Sequence, residues 1–310
     1  MIATNCAVCE TDSTDQEVYR DTLIADAATS ERFSARRTPD RVHYRMVRCG
    51  NCGLLRSNPI LSDEELARLY RDSSLTYEDE VEFAKKTYGR YLLQCLKTYA
   101  PDIEPANARL LEIGSGNGFF LEQALECGFR DVTGVEPSLE AVEMASPAVR
   151  NRLVNDIFRD GLFPSGQFDV ICAFQVFDHL AHPNEVLKTC RDALRPGGVV
   201  LFINHDVGAW TNRVLGSRSP VIDIEHIYLF DTETMPRIFQ KNGFDVLDVF
   251  PVENTYPLHY WMKMAPLPAS WKTKVVPAFK ETSLGQMEFS WKAGNLGLIA
   301  RNGTAPKVTQ

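Results

Sequence analysis

Residues 106–207 alternate apolar strand-like runs with amphipathic helix-like runs, and this rhythm restricts the fold more than any other feature of the chain. ARLLEIG, DVTGVEP, NRLVNDI, FDVICAFQV and VVLFIN read as strands; FFLEQALECG, SLEAVEMA and PNEVLKTCRDALRPGG read as helices between them. In the last helix Val186, Leu187, Cys190, Ala193 and Leu194 recur at helical spacing and make one buried stripe. Consecutive βα units imply a parallel sheet covered on both faces. Ligands of such sheets bind beyond the carboxyl ends of the strands, where the strand order reverses.

The chemistry-bearing residues fall at those strand ends. Glu112-Ile-Gly114-Ser115-Gly116-Asn-Gly118 lies between the first strand and its helix. Glycines there let the backbone turn tightly and approach a ligand. The loop is not a dinucleotide fingerprint, because GxGxxG counted from Gly114 meets Phe119 at its sixth position; no GxxxxGK[ST] loop occurs. The alternative is a strand–helix turn with no ligand. Glu136 ends the second strand, eighteen residues after Gly118, where an acid can accept hydrogen bonds from ribose hydroxyls. Asp156 ends the third strand, as an adenine contact or a mere loop residue.

In order, LLEIGSGNG, GVEPS, NDIF, FDVICAFQVFDHL and LRPGGVVLF resemble the class I S-adenosylmethionine-dependent methyltransferases. The resemblance implies an α/β fold, a doubly wound, seven-stranded, mostly parallel Rossmann-like sheet. FDVLDVF and NLGLIAR suit its sixth strand and antiparallel seventh, with 251–293 inserted between them. It also implies S-adenosylmethionine as cofactor. Gly114, Ser115, Gly116 and Gly118 would cradle its methionine part and Glu112 would orient it. Glu136 would bind the ribose, Pro137 would pack near the adenine, and Asp156 with Ile157 would hold that base. Phe174 and Gln175 would sit near the methyl donor.

The eight cysteines divide four and four. Cys6/Cys9 and Cys49/Cys52 form two CxxC pairs, and four thiolates complete a tetrahedral structural zinc site. The thirty-nine residues between the pairs exceed the gap of a simple zinc ribbon, so unliganded thiols and a redox dithiol remain alternatives. Cys95, Cys127, Cys172 and Cys190 read as small core residues. With RCGNCGL and NPILSDEEL, the pairs resemble a bacterial group of methyltransferases with an N-terminal zinc module. Such proteins are associated with sugars, surface polysaccharides or secondary metabolites. The sugar C-methyltransferases of that set carry a larger C-terminal domain than this chain offers.

The expected organisation is a zinc-binding module over 1–60, a helical connector or lid over 61–105, and a methyltransferase domain over 106–310. Ser62 and Glu65 spell a capping box at the start of the connector. For catalysis, an oxygen or carbon acceptor needs a general base. His226 in DIEHIYLF is the first candidate and His179 in FDHLAHP the second, with Glu225 and Asp178 as orienting groups. Each histidine also has a purely structural reading, and His205 and His259 are weaker candidates. Tyr256, Tyr260 and Trp261 could wall the acceptor or simply cover the core.

A formal charge of −8 weighs against nucleic acid as the acceptor, since gripping phosphates needs a basic stripe. One local exception exists: Arg32, Arg36, Arg37, Arg41, Arg45 and Arg48, as a solvated face or an anion-binding surface. Within 1–60, eight basic side chains meet eight acidic ones. No apolar stretch approaches the ~18–20 residues of a membrane span. The N-terminus has no signal-peptide pattern, so a cytoplasmic location is expected. The expected partner is a small-molecule acceptor. The rival readings are an RNA methyltransferase using the module for recognition, and a methyltransferase-fold binding protein without catalysis.

Overall fold

The computed structural model describes residues 1–23, 28–34, 40–74, 81–265 and 269–303, with the side chains of 269–271 left aside. The N-terminal strands are β1 (Asp15–Tyr19), β2 (Met46–Cys49) and β3 (Leu55–Ser57). Helices α1 (Asp63–Arg71) and α2 (Val81–Tyr99) follow. The βα series is β4 (Arg109–Ile113), α3 (Phe119–Glu126), β5 (Asp131–Val135), α4 (Leu139–Glu143), β6 (Leu153–Val154), β7 (Phe168–Phe174), α5 (Pro183–Ala193) and β8 (Leu194–His205). Then come α6 (Trp210–Leu215), β9 (Tyr228–Leu229), α7 (Thr234–Lys241), β10 (Phe244–Pro257), α8 (Leu258–Met264), α9 (Ala269–Lys280) and β11 (Glu288–Asn302).

Seven strands form one sheet in the order β10-β11-β8-β7-β4-β5-β6. β4 to β8 run parallel, and β11 is antiparallel to both β8 and β10. This is the fold expected from the sequence. The chain steps outward from β4 to β6, then returns to β7 on the other side of β4. The carboxyl ends of β4 and β7 therefore flank the crevice.

Alternation along each strand sends neighbours to opposite faces. Leu110, Val132, Val170 and Leu201 pack beneath α2 and α3. Leu111, Val135, Ile171 and Phe202 face the other way, where Leu187 and Cys190 of α5 and Ile238 and Phe239 of α7 cover them. Cys172 and Cys190 are fully buried and Cys95 lies in the α2 core, so the four unpaired cysteines are core or near-core residues. The capping box forms: the Glu65 N–H donates to Ser62 Oγ, and the Ser62 N–H donates to Glu65 Oε2 at 3.0 Å.

Three details differ from the sequence reading. The third parallel strand is only Leu153–Val154, because Arg150–Arg152 turn as a 3-10 helix at the sheet edge. The excursion expected over 251–293 is shorter. β10 and β11 stay paired as far as Pro257↔Glu288, which leaves 258–287 between the strands. The sheet of the cysteine module does not end at residue 60 either. Its order is β1-β2-β3-β9, and its fourth strand comes from the region before α7. Cys6, Tyr44, Cys49 and Leu54 join one hydrophobic core with Phe177, Ile227 and Phe230. A segment of about sixty residues buries a smaller share of its surface on its own than a larger domain does, and here its core is continuous with that of the large sheet.

Candidate active site

One cavity of about 1050 Å³ opens over the carboxyl ends of β4, β5, β7 and β8. Its volume is at the upper end of the ~300–1,000 Å³ usual for ligand pockets, enough for two small ligands side by side. The glycine loop forms one end. Gly114 has φ +69°, and a Cβ there would stand 2.4 Å from Val176 Cγ2, so only glycine fits the turn. The Gly116 N–H donates to Glu136 Oε2 and the Ser138 N–H to Glu136 Oε1, both at 2.8 Å. Each carboxylate oxygen keeps a second lone pair. Burial raises the Glu136 pKa, and those two N–H groups pull it back.

Glu112 is 2% exposed and borders the same cavity. Its Oε2 is wholly buried and has no hydrogen-bond partner among the described residues. Burial, and then the nearby charge of Glu136, hold its pKa well above the usual carboxylate range. Gly114, Gly116, Pro137, Ile157, Phe174 and Gln175, named from the sequence as cofactor candidates, also line the cavity. Phe174 stacks on Tyr88 of α2 at 4.2 Å between ring centroids, which brings the helical connector over the site.

Three predicted cofactor residues are not among those lining the cavity. The Ser115 side chain is buried against Gly134, where a Cβ would come within 2.5 Å of the Ser115 Oγ. Gly118 caps α3 and packs on Val149. Asp156 accepts from the Ile157 N–H at 2.7 Å and from Arg159 at 2.9 Å, so its carboxylate is turned onto its own loop.

The other end of the cavity is built around Asp178. Phe177 is fully buried between Phe202, Phe230 and Phe239, with centroids 5.2 to 5.4 Å away. A side chain of that size and burial stabilises by about 3–5 kcal/mol relative to alanine, and it anchors the turn that carries Asp178 and His179. Asp178 is fully buried. The His205 Nδ1 lies 2.7 Å from its Oδ2. The His179 Nε2 is 3.7 Å from Oδ1, and the His226 Nε2 is 3.9 Å from Oδ2. His226 bonds through Nδ1 to the Val221 carbonyl at 2.8 Å, which fixes the proton on Nδ1 and leaves Nε2 as an acceptor. Burial, and then the charges of its histidine neighbours, hold His226 well below its usual pKa. Asp178 is held well below the carboxylate range; burial opposes this, and His205, His179 and His226 outweigh it.

The structure brings His179 and His226, the two separate base candidates of the sequence, to the same carboxylate. His205, the less supported candidate, is the histidine directly bonded to Asp178, and the ring of Tyr70, which the sequence reading did not single out, stacks on His179 at 6.3 Å. The Tyr70 hydroxyl is buried and has no hydrogen-bond partner among the described residues. A signal for His205 was present: it is the last residue of β8, at the ligand end of a strand next to β7. Tyr256, Tyr260 and Trp261 line the cavity too, and Trp291 links Trp261 to Trp210.

The four thiols of Cys6, Cys9, Cys49 and Cys52 lie within 4.8 Å of one another, the Cys6 and Cys52 sulfurs at 3.4 Å. Tetrahedral zinc with bonds of about 2.3 Å needs sulfurs about 3.8 Å apart, so the set can hold one ion. Burial pushes the Cys6 and Cys52 thiols up to about 11. Burial also acts on Cys49, but the Cys52 and Asn51 N–H groups outweigh it and bring that thiol to about 7. In the arginine run, Arg36 and Arg37 lie outside the described residues. Arg32 pairs with Asp40 at 2.6 Å, Arg45 with Glu17 at 2.7 Å, and Arg48 donates to the Gly53 carbonyl. These arginines are engaged within the module itself.

Among curated proteins, a ubiquinone biosynthesis O-methyltransferase of Shewanella halifaxensis is 27% identical over 117 residues, which is 35% of this chain and 49% of the relative. A protein of the same name from a Caulobacter species is 32% identical over 102 residues, 30% of this chain and 39% of the relative. The chain spans about half the length of the curated relatives it matches, or less. Among solved structures, a SAM-dependent methyltransferase of Aquifex aeolicus is 12% identical, with 78% of this chain and 98% of that chain covered at a TM-score of 0.45. A family model described as a methyltransferase domain matches residues 82–249, more than half of the 310 residues. That span contains the glycine loop, Glu136 and the Asp178 turn, and it shows that the chain belongs to this family as a class I S-adenosylmethionine-dependent methyltransferase.

Proposed function

We propose that this protein methylates an oxygen or a carbon of a small molecule, a sugar-containing or related metabolite. The observation that carries the reading is one cavity that joins a carboxylate-and-glycine end to a histidine end. Relatives named as O-methyltransferases of ubiquinone biosynthesis support a small-molecule acceptor.

The residues present fit the cofactor. S-adenosylmethionine, when bound, supplies an electrophilic methyl group on a sulfonium sulfur. The orphaned Glu112 carboxylate suits its ammonium group, because a buried charge is tolerated when paired. The spare lone pairs of Glu136 suit the ribose hydroxyls, and Pro137 and Ile157 flank the place of the base. Phe174 and Gln175 face the methyl end. The acceptor would lie against His205, His226 and His179, beneath Tyr256 and Trp261. His205 donates Nδ1–H to Asp178 in this reading, so its Nε2 takes the acceptor proton.

We also infer that the four N-terminal thiolates hold a structural zinc ion. Four protein ligands leave no open position for chemistry.

Glu136→Ala should weaken S-adenosylmethionine binding by about 10- to 100-fold by calorimetry, since hydrogen bonds to a charged group are worth about 1.5–3 kcal/mol. Unchanged affinity would remove the ribose assignment. Glu112→Gln should act in two directions. Cofactor affinity falls by about 10-fold, while the ligand-free protein becomes more stable, because a buried unpaired charge is gone. The sign with pH follows from the raised pKa. Below about pH 4 the wild-type Glu112 is protonated and the two proteins melt alike. As pH rises through the raised folded pKa, the ligand-free wild type loses stability relative to the variant. A gap that shrinks with rising pH would contradict the assignment. The acceptor class is tested by incubating fractionated cell extract with radiolabelled methyl donor. Label should enter the low-mass fraction, and label in RNA or protein would overturn the small-molecule reading.

A further inference from the structure

We infer that Asp178, His179 and His226 form a second metal centre, which binds a divalent cation of the zinc, cobalt or manganese type at the acceptor end of the cavity. A carboxylate oxygen of Asp178 and one ring nitrogen from each histidine lie within 4.8 Å of one another. Ligands about 2.0–2.2 Å from a tetrahedral ion stand about 3.3–3.6 Å apart. His179 Nε2 stands 3.7 Å from Asp178 Oδ1 and His226 Nε2 stands 3.9 Å from Oδ2, so an ion on Oδ1 needs the two rings to close in by a fraction of an ångström to about 1 Å.

Two further observations point to an ion. Asp178 Oδ1 is wholly buried and has no hydrogen-bond partner among the described residues. An anionic oxygen in that state is costly, and a cation would satisfy it. The atoms behind the ligands are also arranged as metal sites require. A ligating histidine normally donates its other N–H to a carbonyl or carboxylate, and a ligating carboxylate is itself hydrogen-bonded. His226 meets the Val221 carbonyl through Nδ1 at 2.8 Å, and Asp178 Oδ2 meets His205 at 2.7 Å. The Asp178 backbone carbonyl accepts from the Ile227 N–H at 2.8 Å, which ties the two ligand-bearing loops together.

Two nitrogens and one oxygen suit borderline transition ions rather than magnesium or calcium. Three protein ligands leave a fourth position toward the cavity, unlike the closed set of four thiols. The inference rests on the proposed acceptor end in one respect: the fourth ligand would be the acceptor oxygen. That oxygen loses its proton to His205 Nε2 and attacks the methyl carbon. The C–S bond breaks with its electron pair left on sulfur, and the new C–O bond uses the pair of the oxygen.

The test reads metal rather than turnover, so it can fail separately from the functional proposal. The full chain is stripped of metal and titrated with Co²⁺. Two equivalents should bind: one with the thiolate-to-cobalt charge-transfer band of the cysteine set, and one with only weak d–d bands. His179→Ala and His226→Ala should each abolish the second equivalent and keep the first. His205→Ala should weaken the second by about 10- to 100-fold, as loss of a supporting partner does. Calorimetry with S-adenosylmethionine on the same samples checks that each variant is folded. Saturation at one equivalent in the wild type, or a second equivalent that survives in both ligand variants, would overturn the site.

Discussion

Serine in place of Cys49 should cost the protein its N-terminal sheet and most of its activity. A structural zinc site supplies about 10–16 kcal/mol of apparent binding free energy. That matches or exceeds the whole stability of a typical domain, about 5–15 kcal/mol. The loss would not stay within residues 1–60. β3 pairs with β9, the Ser57 N–H donates to the Ile227 carbonyl at 2.8 Å, and Ser57 Oγ donates to the His226 carbonyl at 2.9 Å. The cysteine module therefore holds the backbone of a proposed active-site histidine. We expect Cys49→Ser, or prolonged chelation of the wild type, to expose residues 1–60 to protease and to lower kcat by about 100-fold or more. Cofactor affinity should change much less, because the glycine loop and Glu136 sit on β4 and β5, away from that sheet. A variant with wild-type melting, protease resistance and turnover would remove zinc from the structural account.

The central sheet was legible because its information is local. The apolar runs of β4, β5, β7 and β8 and the stripe of α5 each show their period within a short window. The glycine loop was legible for the same reason, since the tight turn it makes is written in a short run of glycines. The histidine end of the cavity was only half legible. His226 and His179 stand in recognisable segments, but the group that unites them is Asp178, and the bond that defines it comes from His205, twenty-seven residues away. FINHDV shows that His205 ends a strand, but nothing local in it names Asp178 as its partner. The fourth strand of the cysteine sheet was invisible for a stronger reason. Tyr228–Leu229 is two residues long and pairs with β3 across most of the chain, and a dipeptide has no periodicity. Ser115 and Asp156 show the opposite limit. Both occupy the expected positions, yet their side chains face the sheet interior and Arg159, because position in a motif does not fix side-chain direction.

The same cluster supplies the second large effect. His205→Ala should lower kcat by about 100- to 10,000-fold, the range for loss of a general base, with the S-adenosylmethionine affinity unchanged. Of the three histidines, His205 is the one hydrogen-bonded to Asp178 directly, through Nδ1 at 2.7 Å, which fixes its tautomer and turns Nε2 away from the carboxylate. His226 is bound instead to a backbone carbonyl and faces Asp178 through Nε2, so its unshared pair points into the cluster. Removing His226 should also slow turnover, but by disturbing the Asp178 centre and the acceptor it holds, with a rise in acceptor KM. Added imidazole separates the two roles. A diffusible base can enter the space left by His205→Ala and restore part of kcat, whereas it cannot rebuild the tethered geometry lost in His226→Ala. The assay is run at saturating metal, so that weakened ion binding does not enter the rate. Rescue of His226→Ala and not of His205→Ala would reverse the assignment and make His226 the base.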